Sequence, residues 1–157
     1  MEGKMYIMGH SGLTLLFLSL AMIPFGYGEK RVVVILLAAM LSGLPDIDIN
    51  LHIPHRTYTH SALFALIMGA LSGWLFYSGF GDMEWFGAGF AGAFLGILSH
   101  LLGDVFTHHS FRPLWPFSHR EVALHWFGAS NRTVNEGLLS AGGFAFLIYF
   151  MATNGLL

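Results

Sequence analysis

Five long stretches of this chain contain no aspartate, glutamate, lysine or arginine, and apolar residues fill most of each one. A helix rises about 1.5 Å per residue and the hydrocarbon layer of a membrane is about 30 Å thick. The last three stretches are long enough to cross it, the first is marginal, and the second needs Lys30 and Arg31 to reach toward the headgroups. We therefore predict an all-α integral membrane bundle of about five helices, from the stretches 11–28, 32–45, 61–81, 85–103 and 137–157.

Composition agrees with membrane insertion, although any single stretch also suits a buried helix of a soluble protein. The 157 residues are 55% hydrophobic and 10% charged, whereas soluble domains carry about 25% charged residues. This length predicts a single domain, residues 1–157. Seven Lys and Arg against nine Asp and Glu exclude a nucleic-acid binder that relies on net positive charge, and the absence of cysteine excludes thiolate metal sites and cysteine nucleophiles.

The distribution of basic residues orients the predicted helices. No small-x-small cleavage site stands out after the first stretch, so we expect a retained helix and five crossings. The chain start, the 46–60 loop and the 105–136 connection then share one side, which the positive-inside rule places in the cytoplasm. That side carries Lys4, Arg56, Arg112, Arg120 and Arg132, and the other side carries Lys30 and Arg31.

The connection before the last helix mixes large apolar residues, Trp115 and Trp126 among them, with Arg, His and Glu. This mixture predicts an amphipathic interfacial segment at headgroup level, and it equally suits a lid packed on the helix ends. Small residues recur four apart, at Gly69 and Gly73 and again at Gly92 and Gly96. That spacing lets helices approach closely, within the bundle or in a homo-oligomer.

Histidines and aspartates lie at the predicted helix ends on one side of the membrane. His100 and Asp104 are four residues apart, so they project from one helical face and can bind one cation. Ionisable groups at this depth are costly to leave unpaired and are functional candidates. The groups that converge are His10 at the start of the first helix, Asp46 and Asp48 at the end of the second, His60 at the start of the third, and His100 and Asp104 at the end of the fourth.

Imidazole nitrogens combined with carboxylate oxygens suit Zn²⁺ or Mn²⁺, and a bridging carboxylate allows two ions. For any single histidine, a polar residue satisfied by its neighbours is the simpler interpretation, but several costly groups converge here. We therefore predict a divalent metal site, with zinc favoured over manganese and one or two ions bound. The predicted ligands are His10, Asp46, His60, His100 and Asp104.

Four segments resemble the YdjM-type family: LPDID from residue 44, RTYTHS from residue 56, HLLGD from residue 100 and WPFS from residue 115. The resemblance extends from His10 to about Arg120. It implies an inner-membrane-associated, metal-dependent hydrolase of a family also described as LexA-binding.

The order His, Asp, His, His-x-x-x-Asp is also distantly similar to the zinc-dependent phospholipase C and P1 nuclease group. Met1 stands where those enzymes use an N-terminal tryptophan ligand, and Glu121 precedes His125 instead of following it, which argues against a third ion. The similarity implies one ion surrounded by Asp46, His60, His100 and Asp104, with Asp104 bridging to a second ion near His10.

The leading hypothesis is metal-assisted hydrolysis of a phosphoester by an activated water. Asp46 or Asp48 would position or deprotonate the water; we prefer Asp46 as a ligand and keep Asp48 as a base or an outer partner. The forked guanidinium of Arg56 suits a phosphate oxygen, and it suits headgroup anchoring almost as well. A site at headgroup level predicts contact with membrane lipid and a lipid or lipid-linked substrate.

Two other functions remain open. A non-enzymatic membrane protein could use a structural metal site and bind a soluble partner, because structural sites are closed whereas catalytic sites keep a position for water. A metal-ion carrier is disfavoured, because transporter sites commonly lie near the midplane. Six histidines are left unassigned: His52, His55, His108, His109, His119 and His125.

Overall fold

The computed structural model describes residues 7–52 and 54–156, and in these ranges the regular structure is helical. Five segments are long and apolar enough to cross a membrane: Ile7–Phe25, Glu29–Asn50, Ala62–Phe80, Met83–Val105 and Arg132–Thr153. This confirms the predicted helical membrane bundle. The α-helices are α1 (Ile7–Met22), α2 (Glu29–Leu41), α3 (Ile47–Asn50), α4 (Ala62–Phe80), α5 (Met83–Val105) and α6 (Arg132–Thr153).

Among the helix boundaries that differ from the prediction, the end of the second helix and the start of the last have a clear local cause. The second helix ends at Leu41, so Asp46 lies in a 3₁₀ turn and Asp48 lies in the short α3. Pro45 lacks a backbone N–H and interrupts the regular ladder at this point. The last helix begins five residues earlier than predicted, at Arg132, because Asn131 caps it by accepting a hydrogen bond from the Val134 N–H.

Close backbone contacts hold the bundle together. Helix α1 packs along α6, α4 packs along α5, and α2 contacts both α1 and α5. A Cβ atom on Gly12 would overlap the backbone of Leu138, and one on Gly142 would overlap the backbone of Gly12. Near the other end of the same pair, the Tyr149 hydroxyl donates to the Gly26 carbonyl, so α1 and α6 run in the same direction.

The small residues of α4 and α5 lie at contacts between helices of the same chain. A Cβ on Gly69 or Gly73 would press on phenylalanine rings of α5, and one on Gly96 would overlap the Ala38 backbone of α2. These contacts favour packing within the bundle over a dimer seam for these residues.

The connection between α5 and α6 folds over one end of the bundle as irregular chain. It contains two isolated bridges, between Thr107 and Phe127 and between Phe111 and Val122. Phe111 is only 2% exposed, and the Pro113 carbonyl accepts a hydrogen bond from the Ala62 N–H at the start of α4. These contacts fit the lid alternative: the connection packs on the helix ends.

Candidate metal centre

The predicted histidine and aspartate residues meet beneath this connection. They come from the start of α1, the segment after α2, the loop before α4 and the end of α5. Three of the histidines, at positions 10, 60 and 100, are completely inaccessible to solvent. The buried cluster contains His10, Asp46, Asp48, Arg56, His60, His100 and Asp104.

Four side-chain atoms surround one point at the spacing of metal ligands. The Nε2 atoms of His60 and His100 are 3.1 Å apart. Asp104 Oδ2 lies 3.4 Å from the first nitrogen and 3.5 Å from the second. Asp46 Oδ1 lies 3.6 and 3.8 Å from the same two nitrogens. Ligand atoms about 2.0–2.1 Å from a tetrahedral zinc are about 3.3 Å from one another, so these separations suit a bound cation.

The outer hydrogen bonds of the two histidines aim both Nε2 lone pairs at this point. His100 Nδ1 donates to the Ser42 carbonyl at 2.7 Å, which leaves Nε2 as the acceptor. His60 Nδ1 lies 3.1 Å from the Thr59 hydroxyl, which in turn donates to Asp48 Oδ2 at 2.9 Å. Metal-binding histidines characteristically have such a carbonyl or carboxylate on the opposite ring nitrogen.

Several buried polar atoms of the cluster lack a hydrogen-bond partner among the described residues. They are Asp46 Oδ2, Asp104 Oδ2 and both ring nitrogens of His10. Buried polar atoms are rarely left in this state, since an unmade hydrogen bond costs about 1–3 kcal/mol. Three carboxylates, of Asp46, Asp48 and Asp104, face one guanidinium, of Arg56, so neutral histidines leave two negative charges uncompensated. The donor set therefore fits a divalent cation.

His60 lies just outside the membrane-spanning segments, and carboxylates surround it. Burial opposes protonation of its ring, but the nearby carboxylates of Asp104, Asp46 and Asp48 outweigh burial and raise its pKa to about 10. Without a metal, the His60 ring therefore holds a proton at neutral pH and supplies part of the missing positive charge.

Asp48 connects the loop before α4 to the cluster. Its Oδ1 lies 2.9 Å from His55 Nδ1, and its Oδ2 accepts the Arg56 N–H at 3.1 Å and the Thr59 hydroxyl. These contacts also fix Arg56, whose φ of 62° lies in the left-handed region that few non-glycine residues adopt. The geometry makes Asp48 an outer partner of His60.

Arg56 is buried at the edge of the cluster. Its Nη2 donates to Asp104 Oδ1 at 2.9 Å, and its Nη1 donates to the Thr107 hydroxyl at 3.1 Å and to the His109 carbonyl at 2.5 Å. The guanidinium therefore neutralises Asp104 and ties the loop before α4 to the lid.

His10 stacks on His100, with ring centroids 3.8 Å apart. Its Nε2 is 3.9 Å from Asp104 Oδ1, the oxygen that already accepts from Arg56. His10, His100 and Asp104 are close enough to share a cation, as are Asp46, His55 and His60. A second cation beside His10 would share that Asp104 oxygen with the guanidinium.

His55 joins the cluster although the sequence left it unassigned. Its ring lies edge-on to His60, with centroids 4.9 Å apart, and its Nδ1 faces Asp48. The only sequence signal was its position in the short loop between two predicted ligands. The other unassigned histidines are exposed: His52, His108, His109, His119 and His125.

The fold and the cluster together define a multi-pass helical membrane protein with a buried histidine–aspartate centre at one end of its bundle. The chain belongs to the YdjM inner membrane protein family, whose model matches residues 5–155. Searches of curated proteins and of solved structures found no match.

Proposed function

We propose that this inner membrane protein is a divalent-metal-dependent hydrolase that cleaves a phosphoester of a lipid or lipid-linked substrate. The observation that carries the proposal is the pair of buried Nε2 atoms of His60 and His100, which face each other while the Nδ1 atom of each ring has its own polar partner. Two carboxylates lie beside this pair. Zn²⁺ suits this set best and Mn²⁺ next. When bound, such a cation lowers the pKa of a coordinated water and polarises a phosphoryl oxygen.

The side chains of the cluster have different roles in the proposed reaction. His60, His100 and Asp104 form the tighter set and hold the cation, with Asp46 as a fourth ligand or as the group beside the open position. Asp46 Oδ2 has no hydrogen-bond partner among the described residues. In the proposed reaction it would accept a proton from the attacking water. Arg56, already held by Asp104, supplies positive charge for a phosphate oxygen.

Two observations support a lipid-like substrate. The cluster lies where α1, α4 and α5 meet the loops, which is the depth of the headgroups if these helices span the membrane. An apolar pocket of about 190 Å³ also adjoins it, lined by Gly103, Leu13 and Trp126 among others. Gly103 separates this pocket from His10, because a Cβ there would lie 3.0 Å from His10 Nδ1. The likeness to zinc phospholipases rests on residue order alone.

A paired variant experiment tests the hydrolase proposal. The protein is purified in detergent, its metal is quantified by mass spectrometry, and it is assayed on a panel of lipid and soluble phosphoesters. We expect wild type to hold metal and turn over a substrate, and Asp104→Asn to lose both. Asp82→Asn is the matched control at the opposite end of α5, where asparagine also caps a helix well. Equal turnover by wild type and Asp104→Asn would contradict the proposal.

A structural metal in a partner-binding protein is the second candidate, and the number of ligands favours it. Four protein ligands, Asp46, His60, His100 and Asp104, would close a tetrahedral site, whereas catalytic zinc usually has three ligands and a water. Asp46→Ala distinguishes the two functions. In a hydrolase with three ligands, this variant keeps its metal and loses turnover. In a closed structural site it loses metal, and wild type turns over no substrate.

We also propose that the centre faces the cytoplasm, on the five-against-two excess of basic residues. The chain has no cysteine, so single-cysteine variants report topology directly. His119→Cys lies in the lid, and Met83→Cys lies at the opposite end of the bundle. A membrane-impermeant maleimide added to spheroplasts should label Met83→Cys alone, and labelling of His119→Cys alone would reverse the orientation.

A further inference from the structure

A polar pocket of about 350 Å³ opens beside the metal centre, between the loop before α4 and the lid. This is within the volume range of small-ligand pockets. Its wall includes Arg56 and Tyr58 from the loop and Ser110, Arg112, Trp115 and Glu121 from the lid. None of the predicted metal ligands lines it, although His55 and Arg56 belong both to its wall and to the edge of the cluster.

One wall of the pocket contains Arg112, which is paired with Glu121. Arg112 Nε and Nη2 both donate to Glu121 Oε1, at 3.2 and 2.9 Å. Ser110 donates to the other oxygen of Glu121 at 2.8 Å. Hydrogen bonds from Ser110 and Arg112 lower the pKa of Glu121, because they favour its ionised form.

The opposite wall connects the pocket to the metal centre. Arg56 lines the pocket and its Nη2 donates to Asp104 Oδ1, so one guanidinium borders both the pocket and the cluster. Two arginines line the pocket, and each is paired with one carboxylate, Arg56 with Asp104 and Arg112 with Glu121. The forked guanidinium group matches the oxygens of phosphates and carboxylates geometrically.

An aromatic pair completes the pocket. The rings of Tyr58 and Trp115 meet edge to face, with centroids 4.8 Å apart. Tyrosine and tryptophan concentrate at membrane–water interfaces, where one end of the side chain is apolar and the other is hydrated. The pocket therefore presents anion-binding groups beside a surface suited to the boundary between headgroup and hydrocarbon.

We infer that this pocket binds the phosphate group of a lipid headgroup, with Arg112 and Arg56 as its recognition groups. A substrate bound there would have a headgroup phosphate in the pocket and its ester bond toward the metal centre. The assignment to a substrate rests on the proposed function, whereas binding of the phosphate group itself does not. Arg112 is a specificity residue outside the metal ligands, and Glu121 positions it.

Phosphonates test this inference, because their P–C bond resists hydrolysis and the metal-loaded protein can be used intact. Methylphosphonate represents a free phosphate group, hexadecylphosphonate in detergent micelles represents a lipid headgroup, and hexadecanol is the uncharged control. Binding is measured by calorimetry. We expect saturable binding of hexadecylphosphonate, weaker binding of methylphosphonate and none of hexadecanol.

Variants locate the binding site. Arg112→Gln should weaken hexadecylphosphonate binding about 10- to 100-fold, the effect of removing a charge-assisted hydrogen bond, without changing metal content. Arg112→Lys, which keeps the charge but loses the fork, should bind better than Arg112→Gln. Arg120→Gln is the matched control, an exposed lid arginine that does not line the pocket; its binding should equal that of wild type.

The outcomes separate this inference from the hydrolase proposal. Binding that depends on Arg112 supports the pocket even if no phosphoester is turned over. Absence of phosphonate binding, or equal binding by wild type and Arg112→Gln, overturns it even if turnover is found. Tighter binding of methylphosphonate than of hexadecylphosphonate would overturn the lipid assignment and indicate a soluble phosphate ligand.

Discussion

The Nε2 atoms of His60 and His100 face each other at 3.1 Å in a space closed to solvent. Two neutral imidazoles cannot form a hydrogen bond between their Nε2 atoms when the Nδ1–H group of each ring donates to another partner. Either one ring carries an additional proton or a cation lies between them. The pair comes from segments 40 residues apart, which the bundle brings together.

Removal of either histidine should abolish stoichiometric metal binding. His100→Ala deletes one Nε2 ligand and leaves the other three groups without a complete site, so we expect metal content to fall to background in detergent-purified protein. Mass spectrometry of the purified variant measures this directly. His119→Ala, a change at an exposed lid histidine, should retain the wild-type metal content. Unchanged metal in His100→Ala would contradict the assigned centre.

Asp48→Asn should weaken metal binding without removing a ligand. The substitution preserves shape but removes the charge that orients His60 through Thr59 and holds His55. Loss of such an outer partner typically costs about 10- to 100-fold in metal affinity. Competition with a fluorescent chelator measures the dissociation constant. Turnover at saturating metal should largely recover in this variant, whereas a complete loss there would indicate that Asp48 acts in the chemistry.

Metal binding should release a proton near neutral pH. The pKa of His60 is raised to about 10, so without metal its ring is protonated at pH 7, and it must become neutral to bind a cation. The stabilisation from its protonated form is complete below its unfolded value of about 6.5 and is lost as pH rises through 10. Calorimetric titrations in two buffers of different ionisation enthalpy measure the proton. Equal heats in both would contradict this prediction.

Gly142→Ala should destabilise the bundle. The added Cβ would overlap the Gly12 backbone of α1, and overpacking of this kind costs about 1–3 kcal/mol. Gly143→Ala is the matched control, because a Cβ there would meet nothing within 4 Å. Thermal unfolding in detergent should show a lower midpoint for the first variant only, and equal midpoints would mean that α1 and α6 do not touch at Gly12.

The number and order of the membrane helices followed from the charge-free stretches, because membrane insertion excludes charges strongly. Helix ends were less predictable from the same criterion. Arg132 and Glu136 fall outside the last stretch, yet they form an ion pair of 2.6 Å one turn apart and extend α6. A helix can therefore include charged residues that pair with each other, and a search for charge-free stretches then predicts that helix too short.

The convergence of the site followed from topology alone, since helices that alternate in direction return their ends to one surface. The roles of the polar loop residues did not follow. The partners of Arg56 and His55 depend on how the 46–60 loop folds back, with Arg56 in a left-handed conformation and Asp48 between them. Such long-range hydrogen bonds leave no periodic signal in a sequence.

The contact between Gly12 and Gly142 also bears on biogenesis. Helix α1 is synthesised before α6, and α1 carries His10 into the cluster. When α1 to α5 have been synthesised, the nascent chain already contains every predicted ligand. Helix α6, which packs along α1, is still being translated at that stage. The contact that holds α1 beside the cluster therefore forms only after α6 has been synthesised.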